Sequence, residues 1–222
     1  VAESSLNQIE REINLLRGEN SGTVKVGIVS SFASRWLSAR LTNFFEICPD
    51  LSLKIESINS IDEFSKANFS IAILWGDGWS DFEYELLMSS SSYILGNRKI
   101  YDHTKSLSLE EAMKKTPLLS DGFYGGHGGM KAWHKTANLE YKPSKSSLKI
   151  TDAFTRLQAV IDGQGIALWD ELVDEEIKSG KLFYISDIEL QGFGYHLVYK
   201  NKNALSIEEQ KFRKWIKGVL QK

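Results

Sequence analysis

Cys48 is the only thiol in 222 residues. One cysteine excludes an internal disulfide and a cysteine-cluster zinc site, and it fits a reducing cytoplasm. A basic excess is also missing. Lys and Arg number 27 against 29 Asp and Glu, which leaves a net charge of -2 and a pI near 6.2. A domain that grips nucleic acid through phosphate contacts typically has a pI above about 9. This chain is therefore not expected to bind DNA, or an anionic membrane surface, by itself. No apolar run approaches the ~20 residues of a membrane span, and no basic-then-apolar leader is present. The sequence begins at Val1 rather than Met, as expected of a fragment or a processed protein.

Catalytic and cofactor signatures are absent as well. No G-x-S-x-G elbow occurs, and Cys48 follows a helical pattern rather than preceding one, so it lacks the dipole that activates a thiol. His103, His127, His134 and His196 show no metal-ligand spacing and read mostly as surface or packing residues. The run Gly122-Phe-Tyr-Gly-Gly-His-Gly-Gly129 is not a P-loop, because Met130-Lys131 follows it. It is not a dinucleotide fingerprint either. It reads as a flexible loop, or as one that brings backbone N–H groups and a helix start to an anion. No cofactor, metal or catalytic residue is expected.

What remains is an ordinary globular composition, 42% hydrophobic and 25% charged, long enough for one large domain or two small ones. Leu6, Ile9, Ile13 and Leu16 form an amphipathic stripe ending at Gly18, which is expected to be a linker or dimerisation helix. A hinge to Gly22 follows. Strand and helix patterns then alternate: a strand at Val24–Val29, a helix at Ala33–Ile47 stopped by Pro49, and a strand at Leu51–Glu56. A short helix near Ser60–Lys66 leads to the nearly all-apolar strand Phe69–Gly76. Such alternation implies parallel pairing with right-handed crossovers, an apolar strand lying centrally.

A long β-like stretch runs from Glu85 to Gly96, followed by a polar loop. The cycle then restarts: helix Leu109–Lys115, strand Pro117–Ser120, the glycine run, and a helix through Met130, Trp133 and Ala137. Strand Leu148–Ile150 precedes the helix Ala153–Ile161, capped by Asp152. Gly163-Gln164-Gly165 turns into strand Ile166–Trp169, and an acidic helix spans Asp170–Lys178. Strands Leu182–Ile185 and Phe193–Tyr199 follow. The last helix, Ser206–Leu220, buries Phe212, Trp215, Ile216 and Val219 behind a Ser206/Glu209 capping box.

Ligand contacts are expected where strands give way to helices. Ser30-Ser31-Phe32 and Asp152-Ala153 can cap their helices or meet a carboxylate at the free N–H groups, capping being the commoner use. Trp75 and Trp79, flanking Gly76-Asp77-Gly78, are the best cleft candidates among six Trp, and His127 lies within the glycine loop.

The order of these segments resembles the LysR-type transcriptional regulators, especially their glycine-cleavage-activator-like branch. A heptad helix leads to Gly22-Thr-Val-Lys-Val-Gly-Ile28. Ser31-Phe-Ala-Ser-Arg-Trp-Leu-Ser-Ala-Arg-Leu41, Phe44-Phe45 and Cys48-Pro-Asp-Leu51 follow. Ile71–Gly78, Leu157–Val160, Asp162–Leu168, Gly192–Tyr199 and Phe212–Ile216 complete a likeness that covers nearly the whole chain. The resemblance implies an α/β fold of two Rossmann-like lobes with a central cleft, like the type 2 periplasmic binding proteins, preceded by a linker helix. Its expected divisions are 1–22 for linker and hinge, 23–94 plus 199–222 for lobe I, and 95–198 for lobe II.

By the same resemblance, ligand positions carry over to Ser30, Ser31, Phe32, Trp75, Gly76, Tyr124, Gly126, His127, Asp152, Ala153 and Phe154. Two departures separate the chain from its branch: Leu74 or Trp75 stands where Arg is frequent, and the glycine loop is long. The expected function is the effector-sensing, oligomerising region of a cytoplasmic bacterial regulator, a dimer or tetramer that takes a small anionic effector such as a carboxylate. DNA would be met only through a winged helix-turn-helix preceding the linker, and no membrane is involved. The rival is a periplasmic-type solute-binding protein for transport, which shares the fold but gives no reason for the heptad stripe.

Overall fold

The computed structural model describes residues 22–76, 78–120, 129–141 and 148–220. The expected linker helix and Gly122–Gly128 lie outside them. Seven strands form one curled sheet: β1 (Thr23–Ile28), β2 (Ser52–Ser57), β3 (Ile71–Gly76), β4 (Glu83–Gly96), β5 (Ala167–Trp169), β6 (Phe183–Tyr184) and β7 (Leu190–Tyr199). Their order is β2-β1-β3-β7-β4-β5, with β6 also on β4. β1 pairs in parallel with β2 and β3, as the alternating pattern predicts. The remaining ladders are antiparallel. The departure comes from β4 and β7, two long strands that run side by side from one half of the molecule into the other.

The first helical element, α1, is a continuous run: Ser30–Phe32, a π segment Ala33–Leu37, a 3-10 turn Ser38–Arg40 and Leu41–Ile47. Then come α2 (Ile61–Lys66), α3 (Arg98–Thr104), α4 (Leu109–Lys115), α5 (Gly129–Thr136), α6 (Ala153–Ile161), α7 (Asp174–Lys178) and α8 (Ile207–Leu220). α3 stands where the sequence reads as a polar loop. Asn97 caps it by accepting from Ile100 N at 3.1 Å, and Arg98 pairs with Asp102 at 2.7 Å. Its mostly polar surface hides the apolar period that marks a helix. The expected strands Pro117–Ser120 and Leu148–Ile150 shrink to isolated parallel bridges, Leu118 with Ile166 and Ser120 with Lys149. The expected acidic helix opens as a 3-10 turn, Glu171–Val173, before α7.

Clusters of buried apolar side chains lie on both sides of the crossing. In the half built on β1, β2 and β3, here lobe I, Val24, Val26, Ile28, Ile71, Ile73, Leu197 and Tyr199 of the sheet pack on Phe32, Leu37 and Phe44 of α1 and on Phe212, Trp215 and Ile216 of α8, so this core takes in Leu197 from beyond the expected boundary at 199. Phe44 and Trp215 lie 4.9 Å apart between ring centres, and the Trp215 indole donates to Asn43 at 3.0 Å. Burying a Phe side chain fully is worth roughly 1.5–3 kcal/mol, so these rings anchor α8 to the sheet. The Ser206/Glu209 capping box is present, at 2.8 and 3.1 Å. In lobe II, Leu95, Leu119, Leu157, Val160, Ala167 and Val173 form one cluster. Ile94, Leu118, Trp133, Ile166 and Leu190 form a second on the other side of its strands.

Candidate functional site

α1 begins where β1 ends, and α6 begins just after the bridge at Lys149. Their first turns face each other across the boundary between the lobes. Ser30 Oγ donates to Asp152 Oδ2 at 2.7 Å and accepts from Phe154 N at 3.3 Å. Asp152 caps α6 by accepting from Thr155 N at 2.8 Å. Burial works against ionisation of Asp152, but hydrogen bonds from Ser30 and Thr155 outweigh it and hold the carboxyl below its usual range. Val29 is the residue before α1 and offers no side-chain cap, so Ser30 serves the opposite lobe rather than its own helix. A second tie lies one turn further along α1. Arg35 makes a two-pronged pair with Glu176 at 2.7 and 2.8 Å and donates to Leu172 O at 3.1 Å.

Beside the Ser30–Asp152 tie opens a cavity of about 150 Å³. Lobe I contributes Val29, Ser31, Asn59 and Trp75; lobe II contributes Ser120, Lys131, Thr151, Arg156, Trp169 and Asp170. Ser92 and Tyr195 reach it from the crossing strands. Asp170, directly after β5, is 6% exposed. It accepts from Leu172 N at 3.2 Å and from the Tyr195 hydroxyl. Burial pushes its carboxyl up to about 6, with Glu171 adding to the rise. Tyr195 is itself held well above its usual value, first by burial and then by this anion, with Ser31 acting in the opposite sense. Ser31, Tyr195 and Asp170 thus stand together in the cavity wall. Arg156 donates to Ile150 O at 2.7 Å, and its guanidinium lies 5.4 Å from the Trp169 ring centre.

Trp75 shapes one wall. Its ring stacks on Phe193 at 5.1 Å, and its N–H donates to Ser90 at 2.8 Å. It also lies over the start of α5, where a Cβ on Gly129 would come within 2.5 Å of the indole. Glycine at this position therefore serves close packing, and the aromatic ring covers that end of the helix.

Of the residues expected from sequence, Ser31, Trp75 and Ala153 line the cavity. Ser30 and Asp152 join the lobes beside it, and Phe154 supplies a backbone donor. Phe32 is a core residue stacked between Trp36 and Tyr195. Gly76 ends β3 with φ +142°, and Trp79 packs against Tyr84 and His196 outside the cavity. Tyr124, Gly126 and His127 lie outside the described residues. His134 and His196 are both buried, packing residues as expected. Sequence reasoning missed Asn59, Lys131, Arg156, Trp169, Asp170 and Tyr195. Asn59 and Asp170 each follow the end of a strand, and ligands in α/β sheets gather outside strand carboxyl ends; that signal was available.

Among the described residues no group of three or more His, Cys, Asp or Glu could hold a metal ion. No helix there is long and apolar enough to cross a membrane.

A family model described as the LysR substrate binding domain matches residues 17–221. The glycine cleavage system transcriptional activator of Escherichia coli K12 is 24% identical over 198 residues, 88% of this chain and 64% of that protein. The chain thus spans less than two thirds of that relative. The HTH-type transcriptional regulator BlaA of Proteus vulgaris is 26% identical over 227 residues, 97% of this chain and 73% of its own. Among solved structures, the effector domain of the regulator AmpR of Pseudomonas aeruginosa superposes with a TM-score of 0.74 at 20% identity, covering 90% of this chain and 96% of that one. The CrgA regulatory domain from Neisseria meningitidis gives 0.71 at 16%, covering 90% and 98%. The two-lobed fold is shared, and the transport alternative finds no support among these proteins.

Proposed function

The chain belongs to the LysR substrate-binding-domain family, and from that premise we propose that it is the effector-sensing region of a DNA-binding transcription regulator acting in the cytoplasm. A small anionic metabolite occupies the cavity between the lobes. The observation that carries this reading is the cavity's composition: Arg156 and Lys131 on the lobe II side, hydroxyls of Ser31, Ser120 and Thr151 around it, and walls drawn from both lobes. A ligand that touches both walls binds one lobe arrangement better than another. Only such differential affinity shifts a conformational equilibrium. The Ser30–Asp152 and Arg35–Glu176 ties join α1 of one lobe to α6 and α7 of the other, so they set the equilibrium on which the ligand acts. Self-association through the linker helix, as a dimer or tetramer, would carry the shift to DNA-reading modules.

A calorimetric and thermal-shift screen of small mono- and dicarboxylates tests the reading. At least one is expected to give saturable stabilisation, weakened at least about tenfold in Arg156→Met, since a charge-assisted contact is worth roughly 1.5–3 kcal/mol. Silence of the unaltered protein across the whole set would refute it.

A further inference from the structure

Asp170 is the one acidic residue among the described residues whose whole side chain is buried. The other deeply placed carboxylates have cations beside them. Glu85 takes Arg213, Lys217 and Lys202, and Glu176 takes Arg35. Besides burial, the strongest influences on Asp170 are the Tyr195 hydroxyl, Glu171, and backbone N–H groups. None is a cation, and Glu171 is a second anion. A buried carboxylate with neutral donors alone is expensive to keep ionised, yet this one stands in the wall of a ligand cavity, beside Trp169. On the lobe I wall, Asn59 adds a buried side-chain carbonyl oxygen with no hydrogen-bond partner. The same small cavity therefore offers two kinds of wall: a cationic one at Arg156 and Lys131, and an acceptor-rich one at Asp170 and Asn59.

We propose that Asp170 receives a protonated amine of the ligand, so that the effector is a zwitterion of amino-acid type, its carboxylate toward Arg156 and Lys131 and its ammonium toward Asp170. This rests on the reading of the cavity as an anion-binding effector site and narrows the ligand class. The ammonium supplies the cation that the fold withholds from Asp170, and by donating both to Asp170 in lobe II and to the Asn59 carbonyl in lobe I it draws the lobes together. A simple carboxylate satisfies only half of the cavity.

The test uses matched ligand series on the unaltered protein and on one isosteric variant. Binding of L-amino acids is compared by calorimetry with that of the 2-hydroxy acids bearing the same side chains, at neutral pH. At least one amino acid is expected to bind roughly ten- to a hundred-fold more tightly than its hydroxy counterpart, the value of a hydrogen bond to a charged group. Asp170→Asn, which keeps size and an acceptor oxygen, should erase that preference, so that an amino acid and its hydroxy counterpart bind the variant alike. Equal binding of the two series, or an amine preference that survives in Asp170→Asn, overturns the proposal and leaves the anion-site reading standing. Binding by neither series overturns this proposal and, when simple carboxylates also fail, the anion-site reading with it.

Discussion

Replacing Asp170 by Asn should stabilise the ligand-free protein at neutral pH. The folded carboxyl titrates near 6, against an ordinary value of 3.8. Folding therefore favours the protonated form, and ionisation of Asp170 works against the folded state. At about 1.4 kcal/mol per unit, the difference amounts to at most ~3 kcal/mol. Asn removes the charge but brings an N–H₂ group that lacks an obvious acceptor, a cost of about 1–2 kcal/mol when buried. The expected net gain is about 1–2 kcal/mol, or ~2–8 °C in Tm for a chain of this length.

The sign with pH is fixed by the raised value. Because the folded state binds the proton more tightly, the unaltered protein loses this part of its stability as pH rises from about 4 to about 6, and none beyond. The gap between variant and parent should thus be largest above pH 6. It should narrow steadily on acidification, and below about pH 4 the variant should lose its advantage altogether. Urea unfolding at intervals of half a pH unit reads this directly. A variant less stable than the parent at pH 7, or a gap that does not change between pH 4 and 7, would refute the argument.

Glu85 behaves in the opposite sense. Burial opposes its ionisation, but Lys217, Arg213, Tyr199 and Lys202 pull its carboxyl down to about 2. Its stabilisation is therefore present above its ordinary value of 4.5 and lost as pH falls toward 2. Glu85→Gln should cost about 2–3 kcal/mol at pH 7 and flatten the acid limb of the stability curve in that window, measured by denaturant unfolding. Arg35→Met leaves the mostly buried Glu176 unpaired, which should cost about 2–4 kcal/mol and increase the radius of gyration in small-angle scattering by loosening the lobes. Gly165→Ala drives a Cβ to 2.3 Å from the Pro117 carbonyl oxygen. It should lower stability by about 1–3 kcal/mol, with the bridge between Leu118 and Ile166 losing amide-exchange protection first.

Sequence patterning reached most of the fold because its carriers are local. The all-apolar β3, the Pro49 stop, the Asp152 cap and the Ser206/Glu209 box each announce themselves within a few residues. The antiparallel ladders did not, because pairing of β7 with both β3 and β4 depends on contacts about a hundred residues or more apart. The site divides along the same line. Ser31, Trp75 and Ala153 lie at junctions that a sequence displays. Tyr195 sits in mid-strand and Arg156 inside a helix, and neither position marks itself until the lobes are assembled. Ser30 and Asp152 both read as helix caps; only Asp152 is one, and Ser30 spends its hydroxyl on the other lobe. His127 and the glycine run remain outside the described residues.

β4 and β7 leave one lobe and enter the other as a hydrogen-bonded pair, and their ladder shifts register between Leu86 and Met88 and again between Ser90 and Ser92. The second irregularity falls within four consecutive serines, where the strands pass from one core to the other. A two-stranded ribbon resists bending in its own plane, since that would stretch one strand against its neighbour, but it flexes readily out of plane at a bulge. The connection thus works as a leaf spring with one soft direction. Trp75 donates to Ser90 within that spring, and Ser92 looks into the cavity. A ligand that touches Ser92 would therefore bear on the flexure itself, and we expect the lobes to move by bending at this ribbon.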